Sequence, residues 1–583
     1  MRPIADDERV AQNRLTRPTQ TESETLQHAS TDFPGPSLPF TGADPPEYFR
    51  SERFIALSIF VLSLLYLCVL RRHSGVDRDE GIILQGAQRI LDGQVLYRDF
   101  FSFYTPGSYY FFALIFRVFG DSYAVAQTAL ATFGAVFSPI TYLLARRVCG
   151  RQASLLVTGV MTVTAMPWRF LVIHNWDSTL WACLALYCAV RLLESPGTAW
   201  SFAAATFTAL TVLSEQSKGA GLLLGLGAGS LVIGFTSKPL KLFTRSQLIA
   251  FAIGLCWPFV TTFIYFASHH ALTAMLASWL WPLQHYSGAN RVPYGYDNFT
   301  GNLRDRIFAT ASLGVRLFAM LVFSARTWVP FVPILALPLL ARLIFRRWRR
   351  LSTGPKWAYY VLVSATISGL LASVVIARAD YLHFVYLHPI FFLVLAWLLD
   401  GRDIRHPLFI RIAPVVGFCM SMSLLAMAGQ SLFAARGDYR VNTRRGTISM
   451  SSPDRVISFV QSRVGPGEKM LIYPYNSTYY YLTQTYSPTR FDFYQPGMHT
   501  EEQLQEMLAE FSSHPTRVVL YELNFTQHLR EAWPNTPTTS VAQDVLAEYI
   551  EREYRPCAML NSEIQFMMRK DLECPKEKRG QSP

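Results

Sequence analysis

Apolar runs recur along most of the chain and are separated by short polar stretches. Runs of roughly 18 to 25 residues are long enough to cross, as helices, a hydrocarbon core about 30 Å thick. The pattern predicts a polytopic α-helical membrane protein with about eleven transmembrane helices. The predicted spans lie at 54–70, 123–145, 152–173, 178–194, 199–214, 219–236, 247–267, 321–345, 357–376, 385–400 and 408–430. Residues 312–345 exceed one simple span and could also hide an interfacial helix.

The regions on either side of these runs have a different character. Residues 1–50 are rich in Thr, Ser, Pro, Glu and Asp without apolar periodicity, which predicts a disordered cytoplasmic tail. Residues 51–435 form the predicted membrane module, with a first outer loop at 71–122. After it, strand-like runs ("KMLIYPY", "RVVLYEL", "EIQFMMR") accompany two helical patterns ("TEEQLQEMLAEFSSH", "SVAQDVLAEYIEREY"). Residues 436–583 are therefore predicted to form a small C-terminal α/β domain.

The composition excludes a single soluble domain, because 51% of the 583 residues are apolar and only 16% are charged. The net charge of +12 reflects basic clusters at the ends of predicted helices, so it does not indicate a nucleic-acid partner. The clusters are Arg146, Arg147 and Arg151; Lys238, Lys241 and Arg245; Arg346, Arg347, Arg349 and Arg350; and Arg402 and Arg405. With the N-terminus inside, all of them fall in cytoplasmic loops, although Arg71 and Arg72 do not fit this rule. We predict a multi-pass protein of a bacterial-type cytoplasmic (inner) membrane, with the C-terminal domain on the outer face.

The eight cysteines contain no Cys-x-x-Cys pair and do not predict a metal site. Six of them lie in or near apolar runs, where cysteine usually behaves as a small buried apolar residue. Cys557 and Cys574 lie in the predicted outer domain, where an oxidising compartment would permit a disulfide. The sequence leaves open whether these two cysteines pair.

The first outer loop begins with three acids, Asp77, Asp79 and Glu80. The apolar residues that follow at 83, 87, 90 and 91 have helical spacing, which predicts a helix lying in the membrane surface. The helix dipole favours an ionised acid in the first turn of such a helix. The loop is therefore expected to place a carboxylate at the bilayer boundary, where the head group of a lipid-linked substrate would lie.

Other predicted outer turns carry chemistry that fits the same cleft. In the first loop, Tyr97, Arg98 and Tyr104 could pack against sugar rings and bond hydroxyls, although a second interfacial helix would have the same composition. The segments "HNWDS", "SEQSKG" and "ARADYLHFVYLHP" bring out Asp177, Lys218, Arg378, Asp380 and His383. Acids and bases from four turns could thus converge on one external cleft. Lys218 could equally anchor a helix at the interface.

The order of these features resembles the GT-C class of integral-membrane glycosyltransferases, close to its aminoarabinose-transferase, protein-mannosyltransferase and Rgt-type galacturonosyltransferase branches. The resemblance covers about residues 54–430 and rests on "RILDGQVLYRDF", "YTPGSYYFFALIFRVFG", the Lys-Gly pair and the Arg-x-Asp-Tyr-x-His segment. It implies that Asp79 is the catalytic carboxylate, that Asp177 is the second outer-loop acid, and that Lys218 meets the lipid phosphate. Two motifs depart from the usual pattern, because "EQSKG" replaces Thr-Lys-Gly and "HNWDS" lacks the usual arginine.

Sugar transfer from a polyprenyl phosphate suits these residues. The acceptor hydroxyl, on a glycan, lipid or protein, needs a base, and Asp79 or Glu80 could take its proton. The departing phosphate needs positive charge, which Lys218 or Arg378 could supply. One displacement would invert the anomeric centre. No cofactor is predicted: Asp-Arg-Asp at 77–79 imitates the metal motif of nucleotide-sugar enzymes, but those sites lie in soluble domains, so a divalent metal is unsupported.

Two other classes of protein remain alternatives. A multi-pass transporter would place ionisable or broken-helix sites at the bilayer midplane, often in repeated halves, whereas the charges here cluster at the outer boundary. A membrane scaffold or sensor would explain the outer domain but not the converging charges. The sequence does not define the sugar, the acceptor or the length of the lipid carrier.

Overall fold

The computed structural model describes residues 46–236, 244–296, 312–322, 324–325, 331–351, 355–400, 407–437, 439–537 and 544–575. Residues from Arg50 onward form one compact unit. Most of the predicted cytoplasmic tail lies outside the described residues, as do Lys238, Lys241, Arg402 and Arg405. Residues 297–311, between the spans predicted at 247–267 and 321–345, also lie outside them.

Helices make up most of the described residues between 46 and 434, and every predicted apolar run contains at least part of one. Their bounds are Pro46–Leu70, Glu80–Leu91, Gly107–Phe119, Tyr123–Ala145, Arg151–Thr164, His174–Glu194, Thr198–Ser214, Gln216–Thr236, Arg245–Ser268, Leu272–Trp281, Leu313–Val322, Val332–Leu351, Pro355–Ala377, Tyr381–Val385, His388–Asp400 and Pro407–Ala434. The stretch at 312–345 is divided between two of these helices.

The predicted span at 152–173 is wrong in its second half. The α-helix ends at Thr164, and a 3₁₀ turn, Met166–Arg169, follows it. Pro167 explains the break, because it has no backbone N–H and its ring clashes with the preceding helical turn. The break matters for function because it turns Arg169 out of a supposed membrane helix and into a loop.

Six of the described helices are long and apolar enough to cross a membrane. They are Ser51–Leu70, Tyr123–Ala145, Gln216–Phe235, Arg245–Ser268, Trp357–Ala377 and Ile410–Ala434. Shorter apolar helices occur at Gly107–Phe119, Thr198–Ser214, Leu313–Val322 and His388–Asp400. The mostly helical architecture supports a polytopic membrane fold.

The described residues from 439 onward, here called the C-terminal segment, contain two sheets. Strands β1 (Tyr439–Thr443) and β2 (Gly446–Met450) form an antiparallel hairpin. The second sheet has the order β3-β4-β6-β5, in which β3 and β4 are parallel and the other pairs are antiparallel. Its strands are β3 (Leu471–Tyr473), β4 (Val518–Glu522), β5 (Tyr554–Met559) and β6 (Ile564–Arg569).

Five helices accompany these strands, at Val456–Gln461, Thr478–Thr483, Glu501–Ser513, Phe525–Ala532 and Val545–Glu553. The helix Glu501–Ser513 connects the parallel strands β3 and β4, and it begins where Thr500 and Gln503 form a reciprocal capping box. The three strands and two helices predicted from the sequence motifs are all present, whereas the hairpin and β5 were not predicted.

The C-terminal segment packs directly on residues 72–92, within the predicted first outer loop. Strand β2 extends onto the chain after the first membrane helix, because the Ser449 amide donates to the Arg72 carbonyl at 2.7 Å and the Ser74 amide to the Ser449 carbonyl at 3.0 Å. Arg89 forms an ion pair with Asp492 at 2.7 Å. The loop and the segment therefore lie on the same side of the helical region, and Arg72 belongs to this interface.

Cys557 and Cys574 form a disulfide in the C-terminal segment. We predict that these two cysteines do not react when the unfolded, non-reduced protein is treated with a thiol-reactive polymer. After reduction, two additional polymer tags should be attached to each chain. Cys557→Ser supplies the control, because it should leave Cys574 reactive without reduction. Equal tagging of wild-type protein before and after reduction would contradict the pairing and weaken the placement of this segment on an oxidising face.

Candidate functional site

The first-loop helix, Glu80–Leu91, is covered by protein over most of its length. Residues from Glu80 to Arg89 are all buried, including Gln85, Gln88 and Arg89. The C-terminal segment covers its polar face, where Arg89 pairs with Asp492; the placement of this helix in a membrane surface stays a prediction. The helix and the C-terminal segment approach each other closely at Gly81, because a Cβ atom at this position would lie 2.0 Å from the Thr478 backbone nitrogen.

Arg169 lies between the acids that precede this helix. Its Nη1 is 2.6 Å from Asp77 Oδ2, and its Nη2 is 3.2 Å from Asp79 Oδ2. Arg169 also hydrogen-bonds Tyr386, which has Asp77 and Asp79 as charged neighbours. Its side chain is 13% exposed, so the cluster is largely enclosed. The single positive charge of Arg169 is therefore shared between the negative charges of two carboxylates.

Asp79 keeps access to solvent within this cluster. Its side chain is 29% exposed, and the Tyr475 hydroxyl donates to its Oδ1 at 2.9 Å. Surrounding protein and the nearby Asp77 carboxylate raise the pKa of Asp79, against the opposing effect of Arg169. A carboxylate with a raised pKa is a stronger base toward a hydroxyl proton than an ordinary aspartate.

Glu80, the second predicted catalytic residue, faces the protein interior. Its carboxyl accepts from the Gln127 amide at 2.5 Å, the Tyr123 hydroxyl at 3.1 Å and the Val172 backbone at 2.9 Å. Burial raises the pKa of Glu80 to about 8 despite these donors. Gln127 Oε1 has no hydrogen-bond partner. If the oxygen and nitrogen of this side-chain amide are exchanged, the amide oxygen faces Glu80 and can accept a hydrogen bond from its protonated carboxyl. The geometry favours a structural role for Glu80.

Arg78 points toward the C-terminal segment, where it pairs with Glu522 and lies 3.1 Å from His528 Nδ1. Glu522, His528 and Glu563 offer ligand atoms within 4.8 Å of one another, which makes them the group among the described residues that could hold a metal ion. The Arg78 guanidinium already supplies positive charge there. The cluster therefore fits a closed ion-pair network.

The predicted aromatic residues of the first loop separate in the structure. Tyr97 is buried, donating to the Tyr104 carbonyl at 2.7 Å and accepting from Trp279 at 3.2 Å. Arg98 is exposed and pairs with Asp99 at 2.8 Å. The Tyr104 ring lies 4.0 Å from that of His174. His174 in turn has Lys218 and His383 as neighbours, so Tyr104 is connected to these two predicted site residues through His174.

Asp177 and Lys218 are buried within the helix ends that follow. Asp177 accepts from Ser108 at 2.7 Å. The Lys218 ammonium has four protein partners: Glu215 at 2.8 Å, the Asn175 carbonyl at 2.9 Å, and the hydroxyls of Ser178 and Thr179 at 2.8 and 3.0 Å. With 1% exposure, Lys218 is engaged inside the protein rather than open to a ligand.

Arg378, Asp380 and His383 form one network at the start of the helix Tyr381–Val385. Asp380 caps this helix by accepting from the His383 amide at 2.9 Å, and it pairs with Arg378 and with His383 Nδ1 at 2.6 Å. Burial is outweighed by His383 and Arg378, so the pKa of Asp380 is lowered. Arg378 also lies over the Trp533 ring at 5.3 Å, which connects it to the C-terminal segment.

His383 connects this network to the acid cluster. Its ring lies 6.0 Å from that of Tyr386, which contacts Arg169, and His383 also lies near His174. Asp79 is thus connected to His383 through Arg169 and Tyr386, and His383 is connected to Tyr104 and Lys218 through His174. Arg98 lies elsewhere.

Three functional candidates were missed by the sequence analysis: Arg169, Tyr386 and Tyr475. Arg169 was hidden in a predicted span, although the proline and arginine of "MPWRF" signal a helix end. Tyr475 had no local signal, because its partner Asp79 lies almost four hundred residues earlier.

The sequence matches no protein-family model and no curated protein. The fold is similar to the crystal structure of ArnT from Cupriavidus metallidurans bound to undecaprenyl phosphate, with a TM-score of 0.50 and 12% identity over 90% of this chain and 98% of that chain. An Archaeoglobus fulgidus oligosaccharyltransferase in complex with Zn and sulfate gives a TM-score of 0.45 and 11% identity, over 85% of this chain and 71% of that chain. ArnT is a GT-C glycosyltransferase, so its likeness to this chain confirms the predicted resemblance to that class at the level of the fold.

Gly81→Ala should disrupt the site, because the new methyl group would overlap the backbone at Ser477 and Thr478. We expect a loss of roughly 1–3 kcal/mol in the free energy of unfolding, as for other overpacked positions. Thermal unfolding in detergent measures it. Gly75→Ala is the matched control, because a Cβ atom there meets nothing within 4 Å. Equal stability of the two variants would contradict this packing.

Glu80 should make stability depend on pH. Its pKa is raised from 4.5 to about 8 on folding, so the folded state binds the proton more tightly and loses stability as pH rises through that window. Glu80→Gln stays neutral, so the fall in its unfolding temperature between pH 5 and 8 should be smaller than that of the wild type. If the unfolding temperatures of the two proteins fell equally between pH 5 and 8, Glu80 would be ionised in the folded protein over that whole range, which would contradict the raised pKa.

Proposed function

We propose that this chain is a glycosyltransferase that moves a sugar from a polyprenyl-phosphate donor to an acceptor hydroxyl on the outer face of the membrane. The observation that carries the proposal is Asp79, a partly exposed carboxylate oriented by Arg169 and Tyr475 at the edge of the helical region. The shared fold with ArnT, which was solved bound to undecaprenyl phosphate, supports a lipid-phosphate donor.

Asp79 acts as the general base in this proposal. The acceptor oxygen attacks the anomeric carbon while its proton passes to the Asp79 carboxylate. The bond from the anomeric carbon to the phosphate oxygen breaks, and the polyprenyl phosphate leaves with the electron pair. One displacement gives an inverted product. The raised pKa of Asp79 suits this role, because a base is most effective when its pKa lies near the working pH.

Arg169 takes the part first assigned to Lys218 and Arg378. The side chains of Lys218 and Arg378 are only 2% and 5% exposed and pair with Glu215 and Asp380, so in our proposal they fix the helix ends around the site. Arg169 also pairs with carboxylates, but it lies beside the base and its side chain is more exposed, at 13%, so it can balance the charge on the departing phosphate. His383, with 28% side-chain exposure, is the neighbouring group that can bond the donor.

The role of Asp177 is indirect in the same scheme. Its carboxyl is fully buried and bonded to Ser108, which lies at the start of the helix Gly107–Phe119. This bond joins the first outer loop to the helix that carries His174. Asp177 is therefore proposed to fix the position of His174 and Tyr104 without contacting the sugar.

Asp79→Asn keeps the size and hydrogen-bonding capacity of the side chain but cannot accept the proton. Transfer should fall by about 10²-fold or more, while binding of undecaprenyl phosphate is retained. Transfer is measured with purified protein, lipid-linked sugars extracted from the producing cells and an envelope acceptor fraction, using mass spectrometry of the product. Asp121→Asn is the matched control, because Asp121 is a first-loop acid paired with a different arginine, Arg445. Near-normal transfer by Asp79→Asn would contradict the proposal.

A further inference from the structure

Tyr475 belongs to the C-terminal segment but reaches the proposed base. It follows strand β3, and its hydroxyl donates to Asp79 Oδ1 at 2.9 Å. Arg169, from the loop after the helix Arg151–Thr164, contacts the other oxygen, Oδ2, at 3.2 Å. Each oxygen of the carboxylate therefore has a donor from a different part of the chain, and together the two donors fix the plane of the carboxylate.

The Tyr475 ring is itself held in place. It is 4% exposed, lies edge-on to Phe493 with 5.1 Å between ring centroids, and stacks on Phe525 at 5.9 Å. A ring confined on two sides can deliver its hydroxyl to one position with little loss of conformational entropy. The hydrogen bond to Asp79 is thus preorganised by the core of the C-terminal segment.

The same segment contacts the neighbours of Asp79. The Thr478 hydroxyl donates to the Asp77 carbonyl, and Glu522 pairs with Arg78. Three consecutive residues of the first loop are therefore each bonded to the C-terminal segment.

We propose that Tyr475 is a positioning residue for the Asp79 carboxylate, so that the C-terminal segment completes the reactive site rather than only covering it. This inference rests on the proposed role of Asp79. The catalytic group comes from the membrane module, whereas its orientation depends on a tyrosine nearly four hundred residues later in the chain. If the C-terminal segment separated from the first loop, Asp79 would lose the hydrogen bond from Tyr475 that helps to orient its carboxylate.

The hydrogen bond has a consequence for titration. The charged and titratable groups facing Asp79 are Asp77, Arg78, Arg169, Tyr386 and Tyr475. Tyr475 donates to the ionised form of Asp79 and therefore opposes the rise in its pKa caused by burial and by Asp77. Tyr475→Phe removes this donor while keeping the ring, so Asp79 should hold its proton to a higher pH.

Carbodiimide labelling tests this without any substrate. A hydrophobic carbodiimide reacts with protonated carboxyl groups, and the peptide from Asp79 to Arg89 can be analysed by fragmentation to separate Asp79 from Glu80. In full-length Tyr475→Phe protein, the midpoint of Asp79 labelling should move up by about one pH unit, as expected when a hydrogen bond to a charged group is lost. Tyr479→Phe is the control: its hydroxyl bonds a different aspartate, Asp454, at 3.2 Å, so its midpoint should match the wild type. An unchanged midpoint in Tyr475→Phe overturns the proposal.

Turnover supplies the second measurement. Tyr475→Phe should lower kcat by about 10-fold, leave KM for the lipid-linked donor within about twofold, and move the acidic limb of the pH–rate profile upward. If Tyr475→Phe only impaired folding, the amount of active protein would fall, but the acidic limb of the pH–rate profile would stay at its wild-type position. Wild-type kcat and pH profile in Tyr475→Phe would overturn the positioning role. Failure of the wild-type protein to transfer any sugar would instead overturn the proposed function, while the labelling midpoint still decides whether Tyr475 holds Asp79.

Discussion

A largely enclosed arginine between two carboxylates is the interaction on which the rest of the site depends. Arg169 is costly to remove from water without compensation, and Asp77 and Asp79 supply that compensation from one short loop. Burial by the surrounding protein, and after it the neighbouring Asp77 carboxylate, raise the pKa of Asp79 against the opposing effect of Arg169. A raised pKa is the property that the proposed general base requires.

The position of this ion pair is fixed by three parts of the chain. The turn after the helix Arg151–Thr164 presents Arg169, and Pro167 sets the place where that helix stops. Glu80 bonds the backbone of Val172 only three residues later, so the loop that carries the acids is fastened to the turn that carries the arginine. The C-terminal segment closes the arrangement through Tyr475. The site is thus a junction, and no single segment would form it alone.

The sequence predicted the helices well, because apolar runs and turn residues are local signals. The helix Tyr123–Ala145 and the strand Leu471–Tyr473 follow directly from such patterns. The fate of the first-loop helix could not be predicted in this way. Its apolar stripe is the same whether a membrane or another part of the protein covers it, and only the tertiary structure shows that the C-terminal segment covers its polar face.

For the candidate site, the sequence carried signals for single residues but not for their partners. A carboxylate at the start of the first loop was visible in the sequence, since Asp79 follows a membrane helix and precedes an amphipathic one. The partners of each charge were not visible. Lys218 looked available for a phosphate until Glu215 and the neighbouring hydroxyls were seen around it, and Arg169 looked like part of a membrane span. Charge pairing between distant segments is a property of the fold, which local spacing does not encode.

We propose that the protein consumes a polyprenyl-phosphate-linked sugar at the outer face of the membrane. Mass analysis of lipid-linked sugars and surface glycans in cells from which the gene has been deleted, compared with cells that carry it, tests this proposal. We expect one polyprenyl-phosphate sugar to accumulate while one glycan or lipid species loses the same sugar, and a wild-type copy to reverse both changes. Unchanged pools of lipid-linked sugars together with unchanged surface glycans would contradict it.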